Sequence, residues 1–177
     1  MNGGTVQCVY SKLGNVIGEN CTLNIGEGGT LRIDNDVFLK VKNFYNGGIY
    51  YVYPNYGLGM LEVTGTLTTG NQVTKLTLSD GATVKATGTA QTVSTTFAAS
   101  GTITVDASEI DAQTLKAAGE TGIPVLTVPT AQVPSGVIWA VSSAPIAGTR
   151  AKWRTDAVGA TKTLYIARPS GLMVIFR

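Results

Sequence analysis

The sequence predicts an all-β protein made of many short strands, either a β-solenoid or an antiparallel β-sandwich. Apolar residues recur two apart with a polar residue between them at 61–63, 76–78 and 103–105, which is the period of a strand with one buried face. Glycine-containing corners, such as those at Gly81 and Gly101, separate these runs, and long stretches of good helix formers are missing. Short strands that restart after regular corners are typical of solenoids and also occur in large sandwiches.

The composition narrows the classes of function. Only 14% of the residues are charged and the net charge is +2, which is too little to predict binding to nucleic acid. Histidine is absent, so the commonest general base and the commonest metal ligand are both missing. No apolar run approaches the ~20 residues of a membrane span. We therefore predict no cofactor, no metal, no nucleic-acid partner and no membrane insertion.

The chain is divided into two parts by the change of pattern near residue 107. We predict that 1–107 form solenoid rungs with a tyrosine-rich excursion at 44–56, and that 108–177 form a short helix and a C-terminal β cap. The N-terminal residues 1–5 lack the basic and apolar regions of a signal peptide and lead directly into the strand pattern. We expect the chain to be a segment of a longer protein.

The first part begins with strand-like runs between residues 5 and 41. Cys8 and Cys21 lie close enough in sequence to form a disulfide across a short loop, and two buried thiols are the alternative. The acidic triplet at 34–36 is predicted to be a turn, because it lacks the glycine and the distal glutamate of a calcium-binding EF-hand loop.

The stretch 44–56 interrupts the pattern with five of the 7 tyrosines of the chain. Its Asn46-Gly47 pair is a tight-turn signal and predicts a hairpin or an excursion that projects from the scaffold. Exposed aromatic rings with neighbouring amides suit the binding of a glycan or a partner protein. The candidate ligand-binding residues are Tyr45, Tyr50, Tyr51, Tyr53, Asn55 and Tyr56. The alternative is that the rings cap the solenoid or pack on a neighbouring turn.

Regular strands rich in threonine return at 64–107. Pairs of the form Thr-x-Thr occur at 64–66 and 102–104, but the intervening turns do not repeat them, so we predict no ice-binding ladder. A helix follows, with Ser108 as its N-cap and Gly119 at its end. Asp106, Glu109 and Asp111 form an acidic cluster that helix capping accounts for, so we assign no catalytic role to it.

The C-terminal part contains the apolar strand runs 123–129, 137–141, 163–167 and 172–176, and the first of them includes Pro124 and Pro129. Arg150, Lys152 and Arg154 surround Trp153. Strand alternation predicts that Lys152 and Arg154 point outward and Trp153 inward.

The phrases GGTLRI at 28–33 and LTLSDGATV at 76–84 resemble the rungs of autotransporter passenger domains and of autotransporter-associated β-strand repeat proteins. The segment from Pro124 through Ser135, Gly136 and Trp153 to Ile166 is similar to the closing module that follows such rungs. The resemblance implies a right-handed parallel β-helix that is secreted or displayed on a bacterial surface. It also implies a role in adhesion or as a stalk.

Three functions are consistent with these patterns. The first is a non-enzymatic structural or adhesive solenoid whose partner is another copy, stacked end to end, or a cell-surface glycan or protein. The second is a carbohydrate-binding module that uses the tyrosine-rich stretch. The third is an enzyme of the polysaccharide lyase type, which the few scattered charges of the chain disfavour.

Overall fold

Short strands make up most of the structure. The computed structural model describes residues 4–8, 16–17, 22–25, 29–33, 38–46, 49–52, 60–63, 65–68, 70 and 72–169. The strands are β1 (Gly4–Cys8), β2 (Val16–Ile17), β3 (Thr22–Ile25), β4 (Gly29–Ile33), β5 (Phe38–Val41), β6 (Asn43–Asn46), β7 (Ile49–Val52), β8 (Met60–Val63), β9 (Thr66–Thr68), β10 (Gln72–Leu78), β11 (Thr83–Lys85), β12 (Gln91–Ala99), β13 (Thr102–Asp106), β14 (Ile123–Pro129), β15 (Ile138–Ser142), β16 (Arg150–Thr155) and β17 (Thr161–Ala167). Helix α1 spans Ala112–Ala118, and a 3-10 helix spans Thr130–Gln132.

These strands form three sheets in which most neighbours are parallel. The orders are β1-β4-β7 in the three-stranded sheet, β15-β13-β11-β9-β6-β3 in the six-stranded sheet and β16-β17-β14-β12-β10-β8-β5-β2 in the eight-stranded sheet. From β8 to β15 the chain alternates between the eight-stranded and the six-stranded sheet. The predicted all-β class is confirmed. The parallel pairing does not fit the antiparallel sandwich that we considered as an alternative.

The core is built from inward side chains that stack in register from strand to strand. In the six-stranded sheet one inward position is apolar on every strand: Phe44, Leu67, Val84 and Val105 are fully buried, and Leu23 and Val141 at the two ends are half-buried. In the eight-stranded sheet an equivalent position holds Val41, Val63 and Leu78, which are also buried. A shift of one residue would turn each of these sets to the outside, so burial of the apolar side chains fixes the register.

Helix α1 starts later than the sequence predicted. Its N-cap is Asp111, whose Oδ1 accepts a hydrogen bond of 2.8 Å from the N–H three residues on. Ser108, the predicted cap, instead donates its N–H and its hydroxyl to the carboxylate of Asp106 at 3.1 Å and 3.0 Å. The predicted cap was wrong because the preceding strand supplies a nearer acceptor for Ser108. Gly119 is the C-cap, as predicted, with φ of 57°.

The described part of 44–56 does not form the predicted hairpin. Strand β6 lies in the six-stranded sheet between β3 and β9, whereas β7 lies in the three-stranded sheet next to β4. The two strands do not pair with each other, so the prediction from Asn46 and the following glycine was wrong. Both strands are sheet members whose partners are distant in sequence. The eight-stranded sheet draws strands from both sides of residue 107, and the division of the chain there stays a prediction.

The last strands of the eight-stranded sheet are antiparallel. β17 pairs with β14 on one side and with β16 on the other. Trp153 of β16 is half-buried and packs against the core, as predicted. Its ring meets the ring of Trp139 in β15 edge to face, with centroids 5.6 Å apart and an interplanar angle of 81°. This aromatic contact joins the ends of the six-stranded and the eight-stranded sheets.

Candidate functional site

The outer face of the six-stranded sheet is the candidate site, because it carries the exposed Tyr45. Outward side chains form two columns that cross the strands. The threonine column contains Thr22, Asn43, Thr66, Thr83 and Thr104. The tyrosine column contains Asn24, Tyr45, Thr68, Lys85, Asp106 and Ser142. The two columns share the strands whose inward residues form the core, so the packing below fixes the backbone positions above.

The tyrosine column combines an aromatic ring with charged groups. Tyr45 is 44% exposed. Lys85 pairs with Glu109 at 2.7 Å between Nζ and Oε1. The hydrogen bond to Glu109 and the charge of that carboxylate raise the pKa of Lys85, and the charges of Asp106 and Tyr45 add to this effect. Lys85 is therefore held as an ammonium group at neutral pH, which suits ion pairing and excludes its use as a base there.

The threonine column is linked by hydrogen bonds at one end. Asn43 donates from Nδ2 to Thr22 Oγ1 at 3.2 Å, and its Oδ1 accepts from the N–H of Thr66 at 3.2 Å. Only β9 presents threonines in both columns. On β11 and β13 the partners of Thr68 are Lys85 and Asp106. The Thr-x-Thr pairs of β9 (66–68) and β13 (102–104) share only the threonine column, so within the described strands of this sheet they do not align into a ladder of paired threonines.

The acidic residues near α1 serve the local structure. Asp106 accepts hydrogen bonds from Ser108, Glu109 pairs with Lys85, and Asp111 caps the helix. Hydrogen bonds from the hydroxyl and the N–H of the third helical residue lower the pKa of Asp111. Within the described ranges, no group of three or more His, Cys, Asp or Glu is placed to hold a metal ion.

Two of the other predicted tyrosines do not share a sheet with Tyr45. Tyr50 and Tyr51 belong to β7 in the three-stranded sheet, where they pair with Leu31 and Arg32 of β4. The remaining predicted ligand-binding residues lie outside the described residues: Tyr53, Asn55 and Tyr56. The structure therefore supports Tyr45 as an exposed aromatic residue and places the strand of Tyr50 and Tyr51 in a different sheet.

The predicted disulfide stays a prediction. Cys8 is the last residue of β1, and Cys21 lies outside the described residues. The acidic triplet at 34–36 also lies outside them.

A basic cleft near the C-terminal strands was not recognised as a site from the sequence. It has a volume of about 190 Å³ and is lined by Arg150, Lys152, Arg168 and Pro169. Strand alternation placed Lys152 on the outside, which is confirmed by its exposure. The contribution of Arg168 depends on the pairing of β17 with β16, which local sequence patterns do not reveal.

No protein-family model, no curated protein and no solved structure matches this chain. In the part of the chain that the structure describes, no helix has the length and hydropathy required to span a bilayer.

Proposed function

We propose that this chain is a right-handed parallel β-helix with a structural or adhesive role and no catalytic activity. The observation that carries the proposal is the continuous register of the six-stranded sheet, from Leu23 on β3 through Leu67 on β9 to Val141 on β15. Strands that stack in this way contact their neighbours only, so the structure grows along one axis. A stiff rod with regular outer faces is suited to presenting a surface at a distance from its attachment point.

The two ends of such a rod differ in whether the edge of the parallel strands is covered. The antiparallel strands β17 and β16 extend the eight-stranded sheet beyond β14 and cover its parallel edge. Unpaired strand edges are templates for association with another chain, and capping strands block them. We propose that the opposite end stacks on a second copy or joins further rungs. We also propose that the protein is secreted or displayed on a bacterial surface, where it adheres to a glycan or a protein.

Assembly and adhesion can be measured on the same preparation. Light scattering after size exclusion and negative-stain electron microscopy, over a series of rising concentrations, should show end-to-end oligomers or short rods. Beads coated with the chain should adhere to cells or to extracellular matrix. A strict monomer at every concentration, together with coated beads that adhere no better than albumin-coated beads, would refute the proposal.

Carbohydrate binding is a second candidate, and the exposure of Tyr45 favours it. Asn24 lies next to the ring in the same column, and sugar rings pack on aromatic faces while side-chain amides bind their hydroxyl groups. On a glycan array, Tyr45→Ala should remove the signal and Tyr45→Phe should keep most of it, because the ring is retained. The absence of any glycan signal above background would exclude this function.

A further inference from the structure

The basic cleft at the C-terminal strands has the composition of an anion-binding site. Arg150 and Lys152 lie two residues apart on β16 and so project on the same side of the strand. Arg150 pairs with Ala167 at the end of β17, which brings the next residue, Arg168, to the same edge. All three cationic side chains are exposed, and Pro169 completes the lining.

The charges of the cleft have no compensating carboxylates among the residues that the structure describes. Neither ion pair found there involves Arg150, Lys152 or Arg168. The segment 150–169 contains five basic residues and one acidic residue, Asp156. That carboxylate is already used, since it accepts hydrogen bonds from the N–H and the hydroxyl of Thr161.

Arg154, on the same strand, has a structural role and differs in its contacts from the three cations that line the cleft. Its guanidinium donates to the backbone carbonyls of Thr121, at 2.7 Å, and Glu120, and it lies 5.3 Å from the ring centroid of Tyr165. These contacts tie β16 to the turn after α1. The three cations of the cleft make no such contacts with the residues that the structure describes, and their side chains are exposed and available to a ligand.

We propose that this cleft binds the carboxylate or sulfate group of an acidic polysaccharide. Arginine presents planar pairs of donors that match oxyanions, and lysine adds a mobile point charge. A volume of about 190 Å³ is below the ~300–1,000 Å³ of sites for drug-sized ligands, so it suits one anionic sugar unit of a chain. Pro169 supplies an apolar wall for the C–H face of the ring.

The lining also disfavours a nucleic acid as the ligand. Binding of single strands relies on aromatic side chains on which the bases stack. The cleft is lined by three cations and a proline, with no aromatic ring among them. The proposal does not depend on Tyr45, which lies in the six-stranded sheet rather than beside the cleft.

Biolayer interferometry with the immobilised chain tests the proposal. The probes are dextran sulfate and polygalacturonate, with unmodified dextran as the neutral control and poly-glutamate and single-stranded DNA as anions of other classes. The variants are the double substitution Arg150→Gln with Lys152→Gln, and the single substitution Arg168→Gln, which lies beyond the end of β17. Lys116→Gln, on the exposed side of α1, removes one positive charge from a residue that does not line the cleft and is the matched control for Arg168→Gln.

We expect one or both acidic polysaccharides to bind and neutral dextran not to bind. The double variant should weaken binding about tenfold or more, because charge-assisted hydrogen bonds are lost, while Lys116→Gln leaves it unchanged. Arg168→Gln should weaken it as well, which keeps the test valid if the double variant misfolds. Preference for dextran sulfate or polygalacturonate distinguishes sulfate from carboxylate. Equal losses in the control variant, binding of DNA or poly-glutamate as tight as that of the polysaccharides, or no binding of either polysaccharide would overturn the proposal.

Discussion

The turn at Gly101 offers a sharp test of how neighbouring strands are held together. The carboxylate of Asp80, in the preceding turn, accepts a hydrogen bond of 2.7 Å from the N–H of Thr102. Gly101 has φ of +66°, and a Cβ atom added there would collide with the Asp80 carboxylate. Gly101→Ala therefore combines an unfavourable backbone conformation with the displacement of a hydrogen-bonded carboxylate.

The contributions of the backbone conformation and of the lost hydrogen bond to the free energy of unfolding can be estimated separately. An L-residue in the left-handed region costs about 1–2 kcal/mol. Loss of the Asp80 hydrogen bond adds about 1 kcal/mol, the typical net value for such a bond. Gly101→Ala should thus lower the free energy of unfolding by about 2–3 kcal/mol and lower Tm by about 4–12 °C, at 2–4 °C per kcal/mol for a chain of this size. Gly159→Ala, where φ is +78° and the space around the Cβ position is empty, should show the backbone cost alone.

Urea and thermal unfolding, followed by circular dichroism, measure these differences. In the background of Asp80→Ala, Gly101→Ala should cost no more than Gly159→Ala, because the carboxylate that it displaces is already gone. An additional cost of Gly101→Ala that persists in that background would refute the reasoning. So would equal effects of the Gly101 and Gly159 substitutions in the presence of Asp80.

Three further predictions concern the core, the helix cap and a buried hydroxyl. Leu67→Ala should lower the free energy of unfolding by about 2–5 kcal/mol, because Leu67 is fully buried. Thr66→Ala on the outer face should lower it by less than about 0.5 kcal/mol. Similar urea midpoints for the two variants would contradict the core assignment. Because the pKa of Asp111 is lowered, the stability that this carboxylate contributes is present above its ordinary pKa of 3.8 and is lost as pH falls through the folded-state pKa. Asp111→Asn should therefore reduce the loss of Tm on acidification, and equal losses in both proteins would count against this cap. Thr68 Oγ1 is buried without a hydrogen-bond partner, so Thr68→Val should leave the urea midpoint unchanged or raise it, and a clear decrease would contradict this.

Strand periodicity identified the local pattern of the sheets but not their pairing. Alternation at 103–105 predicted one buried face, and Ile103 and Val105 are fully buried. The same alternation carries no information about which strand lies alongside, because partners such as Thr83 and Thr104 are separated by an intervening strand of another sheet. The turn signal at Asn46 therefore predicted a hairpin, whereas β6 and β7 belong to different sheets.

The functional surfaces could be predicted only where they depend on a single strand. Exposure of Lys152 followed from alternation, but the hydrogen bonds of Arg154 to Glu120 and Thr121 depend on a contact between segments more than 30 residues apart. The prediction of Ser108 as the N-cap of α1 was wrong for a similar reason. Ser108 has the right chemistry for a cap, but Asp106 lies within its reach and competes for its donors.

The contact between Trp139 and Trp153 provides an intrinsic fluorescent probe of the C-terminal strands. These are the 2 tryptophans of the entire sequence, and they sit at one joint between the two larger sheets. Tryptophan fluorescence, excited selectively over that of the 7 tyrosines, will therefore report on the C-terminal end, whereas circular dichroism averages over every strand. If the two signals change at different denaturant concentrations, the C-terminal end opens before or after the remaining rungs. Coincident transitions would show that the terminal strands and the stack melt as a single cooperative unit.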